Sequence, residues 1–278
     1  MAGREGFFAF CGSKGCVKLE IVGAPTMRSM PLRETEAIVL RTYSVGEADK
    51  IVSLFTRDMG RLRAAASGAR RVKSRWGALL EPLTYVRLWI YDRENRELLR
   101  LNSAELLESF FAIQGDQLIQ VAAQYLAEAA GRFLPEREVN ERAFRLWLAV
   151  LRGIKRGGQI GLPLLYFDYW LLRLSGFLPA LDKCARCGRP FGSETAYCRA
   201  EPEGVFCRDC RPATAATPLS AAARGLAETA RRTPLADWLA SGTASAAATR
   251  EARRLLETWV AARAEGKLVT LEQLREGA

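Results

Sequence analysis

Four cysteines at a regular spacing are the first residues able to do chemistry. Cys184-Ala-Arg-Cys187 and Cys207-Arg-Asp-Cys210 are two C-x2-C knuckles with nineteen residues between them. Each knuckle can set two sulfurs about 2.3 Å from one ion, and four thiolates close a tetrahedron. The spacing therefore points to a structural zinc. A closed site has no position for water or substrate, so hydrolysis is not expected there. Disulfides and free thiols are the competing readings. No secretory signal precedes the chain's first strand, which favours a reducing cytoplasm, and no thioredoxin-like βαβ pattern surrounds either knuckle. Cys198 lies alone inside the loop and reads as a spectator thiol; Cys11 and Cys16 read as free thiols. Arg186, Arg189, Arg208 and Arg211 are either phosphate contacts or ordinary solvated charges.

The second group is basic. Between Arg57 and Arg75 stand Arg57, Arg61, Arg63, Arg70, Arg71, Lys73 and Arg75, against one acid, Asp58. Gly68-Ala-Arg-Arg-Val-Lys-Ser-Arg-Trp76-Gly77 has neither helical nor strand periodicity, and its glycines predict a flexible arm ending on an exposed aromatic. Guanidinium forks pair with phosphate, and Trp76 would offer a face on which a base stacks. A solvated charge run, or arginines paired to acids elsewhere, is the plainer alternative. The whole chain agrees with a polyanionic partner: 41 Lys and Arg against 31 Asp and Glu give a net charge of +10 in 278 residues.

The elements that must hold these groups change character along the chain. Residues 1–30 read as a disordered or mis-annotated extension, with Met27 and Met30 as possible starts. From 31 to 104 the pattern is β: Thr35–Tyr43, Asp49–Thr56, a turn at Asp58-Met59-Gly60 before Arg61–Ser67, then Leu83–Tyr91 and Leu98–Ser103. Five short strands with a long polar loop between the third and fourth predict a closed OB-fold barrel, whose faces commonly hold oligonucleotides. From 105 to 278 the period becomes helical, over Glu105–Ile113, Asp116–Leu134, Val139–Lys155, Leu162–Gly176, Ser220–Arg231 and Ala246–Ala264, with the metal insertion at about 180–212 and a loop over Leu235–Ser245. The class is α+β: an N-terminal five-stranded OB-fold barrel followed by an α-helical domain carrying a four-cysteine zinc insertion. Trp147, Tyr166, Phe167, Tyr169 and Trp170 read as helical core. Arg152, Lys155 and Arg156 either extend a DNA path or satisfy helix-terminal carbonyls.

Glu36-Ala-Ile-Val-Leu-Arg41, Gly46-Glu-Ala-Asp-Lys-Ile-Val52, Leu54-Phe-Thr56, Gly68-Ala-Arg-Arg71 and Lys73-Ser-Arg75 through Leu80-Glu-Pro82 resemble the RecO family of bacterial recombination mediators. The resemblance spans about residues 31–240 and includes the cysteine cluster. It implies binding to single- and double-stranded DNA, annealing of complementary strands, and help in loading RecA onto SSB-coated DNA together with RecR. The first thirty residues fall outside the family pattern.

Several function classes are disfavoured. With no histidine in the chain, Ser/His and Cys/His nucleophile pairs are excluded, and so are histidine metal ligands. There is no G-x4-G-K-[ST] loop for an ATP-driven motor. Glu47, Asp49 and Asp58 are the only acids near the basic stretch, too sparse a set for a metal-dependent nuclease. No apolar run reaches the length of a membrane span. The reading is a non-enzymatic mediator of DNA repair in the cytoplasm, associated with the nucleoid. A protein-interaction adaptor with secondary nucleic-acid contact, or an OB-fold RNA-binding protein, are the alternatives.

Overall fold

The computed structural model describes residues 31–92, 97–110, 115–214 and 216–276. The N-terminal extension and its two cysteines lie outside the described residues.

Alternating apolar residues build five strands, β1 (Leu32–Val45), β2 (Asp49–Thr56), β3 (Gly60–Ala66), β4 (Tyr85–Tyr91) and β5 (Leu98–Glu108). They close in the order β1-β2-β3-β5-β4, every pair antiparallel except β3 with β5. This is the OB-fold barrel. Closure leaves no unpaired edge, and one side-chain phase fills the interior: Ala37 and Val39, Val52 and Leu54, Leu62 and Ala64, Leu88 and Ile90, all buried.

The opposite phase of the same strands faces outward, and part of it is greasy too. Ile38, Leu40, Phe55 and Tyr85 join the core of the helical domain, with Phe55 packed edge-on against Phe144 and Trp147 at 5.6 and 5.5 Å between ring centres. A β-bulge interrupts β1 here. Val39 pairs with Leu54, but Arg41 pairs with Ser53, so Leu40 is an extra residue. Leu40 points to the helices, and Arg41 and Tyr43 follow it onto the outer face.

The helices are α1 (Gln117–Phe133), α2 (Glu141–Gly157), α3 (Gly161–Leu174), α4 (Ala221–Arg232), α5 (Leu235–Ser241), α6 (Ala246–Arg263) and α7 (Val269–Glu276). Asp116 and Asn140 cap α1 and α2 by accepting from backbone N–H groups of the first turn, and Ser220 does the same for α4. Trp147, Phe167 and Tyr169 are buried, as expected of core aromatics. Two expectations are corrected. Residues 105–108 continue the last strand because they pair with Tyr85–Arg87 of β4, so no helix begins at Glu105. Leu235–Ser241 is a helix and not a loop, since Leu235 and Trp238 bury themselves against the helical core.

Charged residues fasten the two domains around this apolar contact. Arg57 reaches Glu36 at 3.0 Å and Glu141, in the first turn of α2, at 2.9 Å. Arg152 and Lys155 both bind Glu108 at the end of β5, at 2.8 and 3.2 Å. These two cations therefore tie α2 to the barrel. Gly60, at φ +69°, lies so close to the next segment that a Cβ there would meet the Glu138 carbonyl oxygen at 2.3 Å.

Candidate nucleic-acid interface and metal centre

The seven basic residues of the Arg57–Arg75 stretch divide into two sets. Arg57, Arg61 and Arg63 all have acidic partners. Arg61 donates through Nε to the Leu134 carbonyl at 3.1 Å and pairs with Glu136 at 3.3 Å, while Arg63 lies 3.7 Å from Glu136 and 3.8 Å from Glu97. Their charges are largely answered within the fold. The contact of Arg57 with Glu141, then with Glu36, raises its pKa further, so it stays charged throughout the accessible range.

Arg70, Arg71, Lys73 and Arg75 form the second set. All four are exposed, and among the described residues none has an acid within 4 Å. They occupy the loop between β3 and β4, and that loop is braced. Gly68 N–H donates to Asp49 Oδ1 at 2.8 Å, Arg70 N–H to the Ala48 carbonyl at 2.8 Å, and the Arg70 guanidinium to the Gly46 carbonyl at 2.6 Å. Ser74 N–H closes back on the Arg71 carbonyl at 2.9 Å. Four like charges are thus held close together without internal neutralisation, which favours counter-anions at this rim.

Trp76 is the correction. The expected exposed aromatic is 2% exposed, sits in the barrel core beside Leu80, and donates Nε1–H to the Ser67 carbonyl at 3.0 Å. Apolar burial outweighs the exposure its polar neighbours implied, and the indole plugs the barrel and anchors the loop's far end. The Arg75 guanidinium lies over its ring, 4.7 Å from the centre. A face covered in this way cannot receive a base, and the indole holds the far end of the loop.

The exposed aromatic is elsewhere. On the outer face of β1–β3, the register places Arg41 beside Ser53 and then Arg63, and Tyr43 beside Ile51 and then Ala65, with Arg61 two residues from Arg63 along β3. Tyr43 is 49% exposed. The alternation of the strand carries this placement only once the bulge at Leu40 is taken into account, so the sequence alone gave no weight to Tyr43. Asp49 and Asp58 serve the loops, accepting from Gly68 N–H and from the Thr35 hydroxyl, and do not converge with Glu47 as a metal-holding group among the described residues.

In the insertion, the four knuckle cysteines come together with all Sγ atoms within 4.8 Å of one another, and Cys187 and Cys207 are 4.0 Å apart. Tetrahedral coordination at about 2.3 Å per bond requires sulfurs about 3.8 Å apart, so the donor set fits such an ion. The knuckles are shaped by the backbone. Gly188, at φ +73°, turns the first one so that its N–H reaches the Cys184 carbonyl at 2.9 Å, and Cys210 N–H reaches the Cys207 carbonyl at 3.1 Å. Burial acts to raise the Cys184 thiol, but backbone N–H groups of Cys187, Cys207 and Arg186 outweigh it and bring the thiol down to about 6. The neighbouring Cys207 thiol, followed by burial, pushes Cys210 up to about 12, since a further negative charge beside the other thiols is resisted. A three-stranded sheet, β6 (Ala196–Cys198), β7 (Val205–Phe206) and β8 (Thr217–Leu219), backs the cluster. Cys198 stands apart on β6, donating to the Thr217 carbonyl at 3.4 Å, with its thiol raised to about 11 by burial. Arg224 of α4 clasps the module, donating to the Gly192 and Glu194 carbonyls at 3.0 and 2.6 Å. Of the arginines near the knuckles, Arg189 pairs with Glu194 and Arg211 lies over the Tyr197 ring.

An OB-fold barrel with exposed basic residues at its rim, joined to a helical domain that carries a four-thiol cluster, defines a class of two-domain proteins. Comparison with known sequences narrows the class. The family model described as "Recombination protein O N terminal" matches residues 27–110, and "Recombination protein O C terminal" matches residues 116–272. The chain is 39% identical over 248 residues to the DNA repair protein RecO of Koribacter versatilis (strain Ellin345), covering 87% of this chain and 98% of that relative. It is 38% identical over 228 residues to the RecO of Frankia casuarinae, covering 80% and 90%, and 39% identical over 194 residues to that of a Nocardioides strain, covering 67% and 78%. The chain belongs to the RecO family of DNA repair proteins.

Proposed function

We propose that this chain is a non-catalytic mediator of DNA repair and homologous recombination. It binds single- and double-stranded DNA, anneals complementary strands, and helps load RecA on SSB-coated DNA with RecR. The observation that carries the reading is the set of four adjacent, exposed, acid-free cations, Arg70, Arg71, Lys73 and Arg75, on a braced loop at the barrel rim. Arginine forks grip phosphate oxygens, and each phosphate neutralised releases counterions. Two strands whose repulsion is screened in this way can approach, and base pairing then supplies the specificity. Arg57 and Arg61 flank the β2–β3 turn, at the other end of those strands from the loop, and with Arg63 they mainly fasten the domains.

Cys184, Cys187, Cys207 and Cys210 hold a structural zinc in this reading. When bound it supplies cross-linking of the insertion, which has a short sheet and a small apolar patch of Cys184, Phe206 and Cys207 to hold it together. A mediator that acts on DNA would work in the cytoplasm, associated with the nucleoid; among the described residues no helix is long and apolar enough to cross a membrane.

Annealing of complementary oligonucleotides with no nucleoside triphosphate present tests the function. The purified chain should accelerate duplex formation over the spontaneous rate, and replacing the four loop cations by alanine should return it towards that rate. A chain that leaves the rate unchanged at low salt overturns the proposal.

A further inference from the structure

We infer that Tyr43 is the base-stacking residue of a nucleotide subsite at the junction of barrel and helices, with Arg41 and Arg132 receiving the adjoining phosphate. The inference rests on the reading of this barrel as a nucleic-acid-binding module and assigns it a subsite apart from the basic loop.

Three recesses meet at Tyr43, and two of them carry more than one arginine. One, of about 210 Å3, is lined by Leu40, Arg41, Tyr43, Ser53, Arg61 and Arg132 among others. The other, of about 390 Å3, is lined by Tyr43, Ile51, Ser53, Arg61, Arg63 and Glu136. They share Tyr43, Ser53 and Arg61, so the phenol ring stands on the ridge between them. Small-ligand clefts run from roughly 300 to 1,000 Å3, so together the recesses reach that range.

The charges around the ring favour a nucleotide. Arg41 and Arg132 are exposed, line the smaller recess, and have no acidic partner within 4 Å among the described residues. Two acids also face this region. Glu136 is occupied by Arg61 and Arg63, and Glu128 accepts from the backbone N–H groups of Val269 and Thr270 at 3.2 and 3.0 Å. Burial acts to raise the Glu128 carboxyl, but the Thr270 hydroxyl, those N–H groups and Arg41 together hold it below the usual range. The acids are therefore answered inside the fold, and Arg41 and Arg132 leave the recess positive. A half-exposed aromatic next to guanidinium groups that have no acid within 4 Å, on an OB-fold face, has the composition of a stacking platform: every base offers a π-face, and the flanking phosphate takes the charge. An acidic peptide would use Arg41 and Arg132 but has no need of the ring.

Photo-crosslinking of the full chain to an oligothymidylate containing 5-iodouracil tests the assignment, because this base forms adducts preferentially with an aromatic ring stacked on it. Trypsin cutting after Arg41 and Lys50 releases Thr42–Lys50, in which Tyr43 is the only aromatic residue. The adduct is expected on that peptide. Tyr43→Ala should abolish it and weaken binding about 5- to 100-fold, the range of one lost base stack. The salt dependence of binding should stay as in the wild type, since no phosphate contact is removed. Tyr43→Phe, which keeps the ring, should restore affinity, an outcome that a structural role of the hydroxyl would not produce. Wild-type binding with adducts only on other peptides, or Tyr43→Ala binding as tightly as wild type, overturns the subsite alone. Tyr43→Ala that binds DNA normally but loses an acidic peptide reassigns the recess to a protein partner and also overturns it. Absence of any oligonucleotide binding by the wild type removes the parent reading as well.

Discussion

Replacing Arg70, Arg71, Lys73 and Arg75 together by alanine should flatten the salt dependence of single-strand binding, by an amount that follows from the structure. These four cations have no internal acid to return to, so each phosphate they meet is neutralised at the cost of displaced counterions only. For single-stranded nucleic acid each such contact contributes about 0.7 to the slope of log affinity against log salt. Four contacts give a loss of roughly three units of slope, and between 50 and 200 mM salt that corresponds to about a fifty-fold difference in how far affinity falls. Fluorescence anisotropy of a labelled oligothymidylate at five salt concentrations reads it directly. The comparison variant is Arg57, Arg61 and Arg63 to alanine. Those guanidinium groups are already held by Glu36, Glu141, Glu136 and Glu97, so their loss should change the slope by less than about one unit while lowering stability. Equal flattening by the two variants, or an unchanged slope in the quadruple variant, would refute the division of the seven cations.

Two further outcomes are expected. Cys184→Ser removes one of four thiols, so metal analysis should fall from about one zinc per chain in the wild type to a small fraction, with loss of protection in residues 181–219 by hydrogen exchange; full zinc retention would remove the assignment. Asp168 is fully buried and accepts from the Tyr125 hydroxyl at 2.6 Å, near the Glu257, Arg253 and Arg275 cluster. Burial first, then the Glu257 charge, raises its carboxyl well above the usual value. The folded state therefore binds a proton that the unfolded chain releases earlier. This group's stabilising contribution is complete below the ordinary carboxylate pKa and is lost as pH climbs from there towards the raised value. Asp168→Asn should narrow that decline, seen as a stability difference from wild type that grows with pH in denaturant melts; a difference independent of pH counts against it.

The barrel was legible because period-two apolar alternation and a polar interruption each leave a local mark, and the convergence of the four cysteines because paired C-x2-C knuckles are themselves a local geometry. The division of the basic residues was not. Arg61 and Arg70 look alike in the chain, and only the strap of residues 134–138, brought alongside β3 by the turn before α2, answers the first and not the second. Trp76 misled for a related reason. Its neighbours are as polar as any surface loop, yet the barrel end needs a plug, and burial of one large ring overrides its local context. Leu235–Ser241 was hidden because its few apolar residues make too short a run to show a period.

The extra residue in β1 reaches beyond local geometry. Before Leu40 the odd-numbered positions turn inward, as Ala37 and Val39 do; after it the even-numbered ones take over, with Thr42 opposite Val52. A single strand is thus read in two frames, one half written for the greasy seam with the helices and the other for solvent. Removing Leu40 would let the strand run on unbulged, with Arg41 still opposite Ser53 and Thr42 opposite Val52, so the cost would fall on the apolar seam that loses this side chain and not on the outward placement of Arg41 and Tyr43.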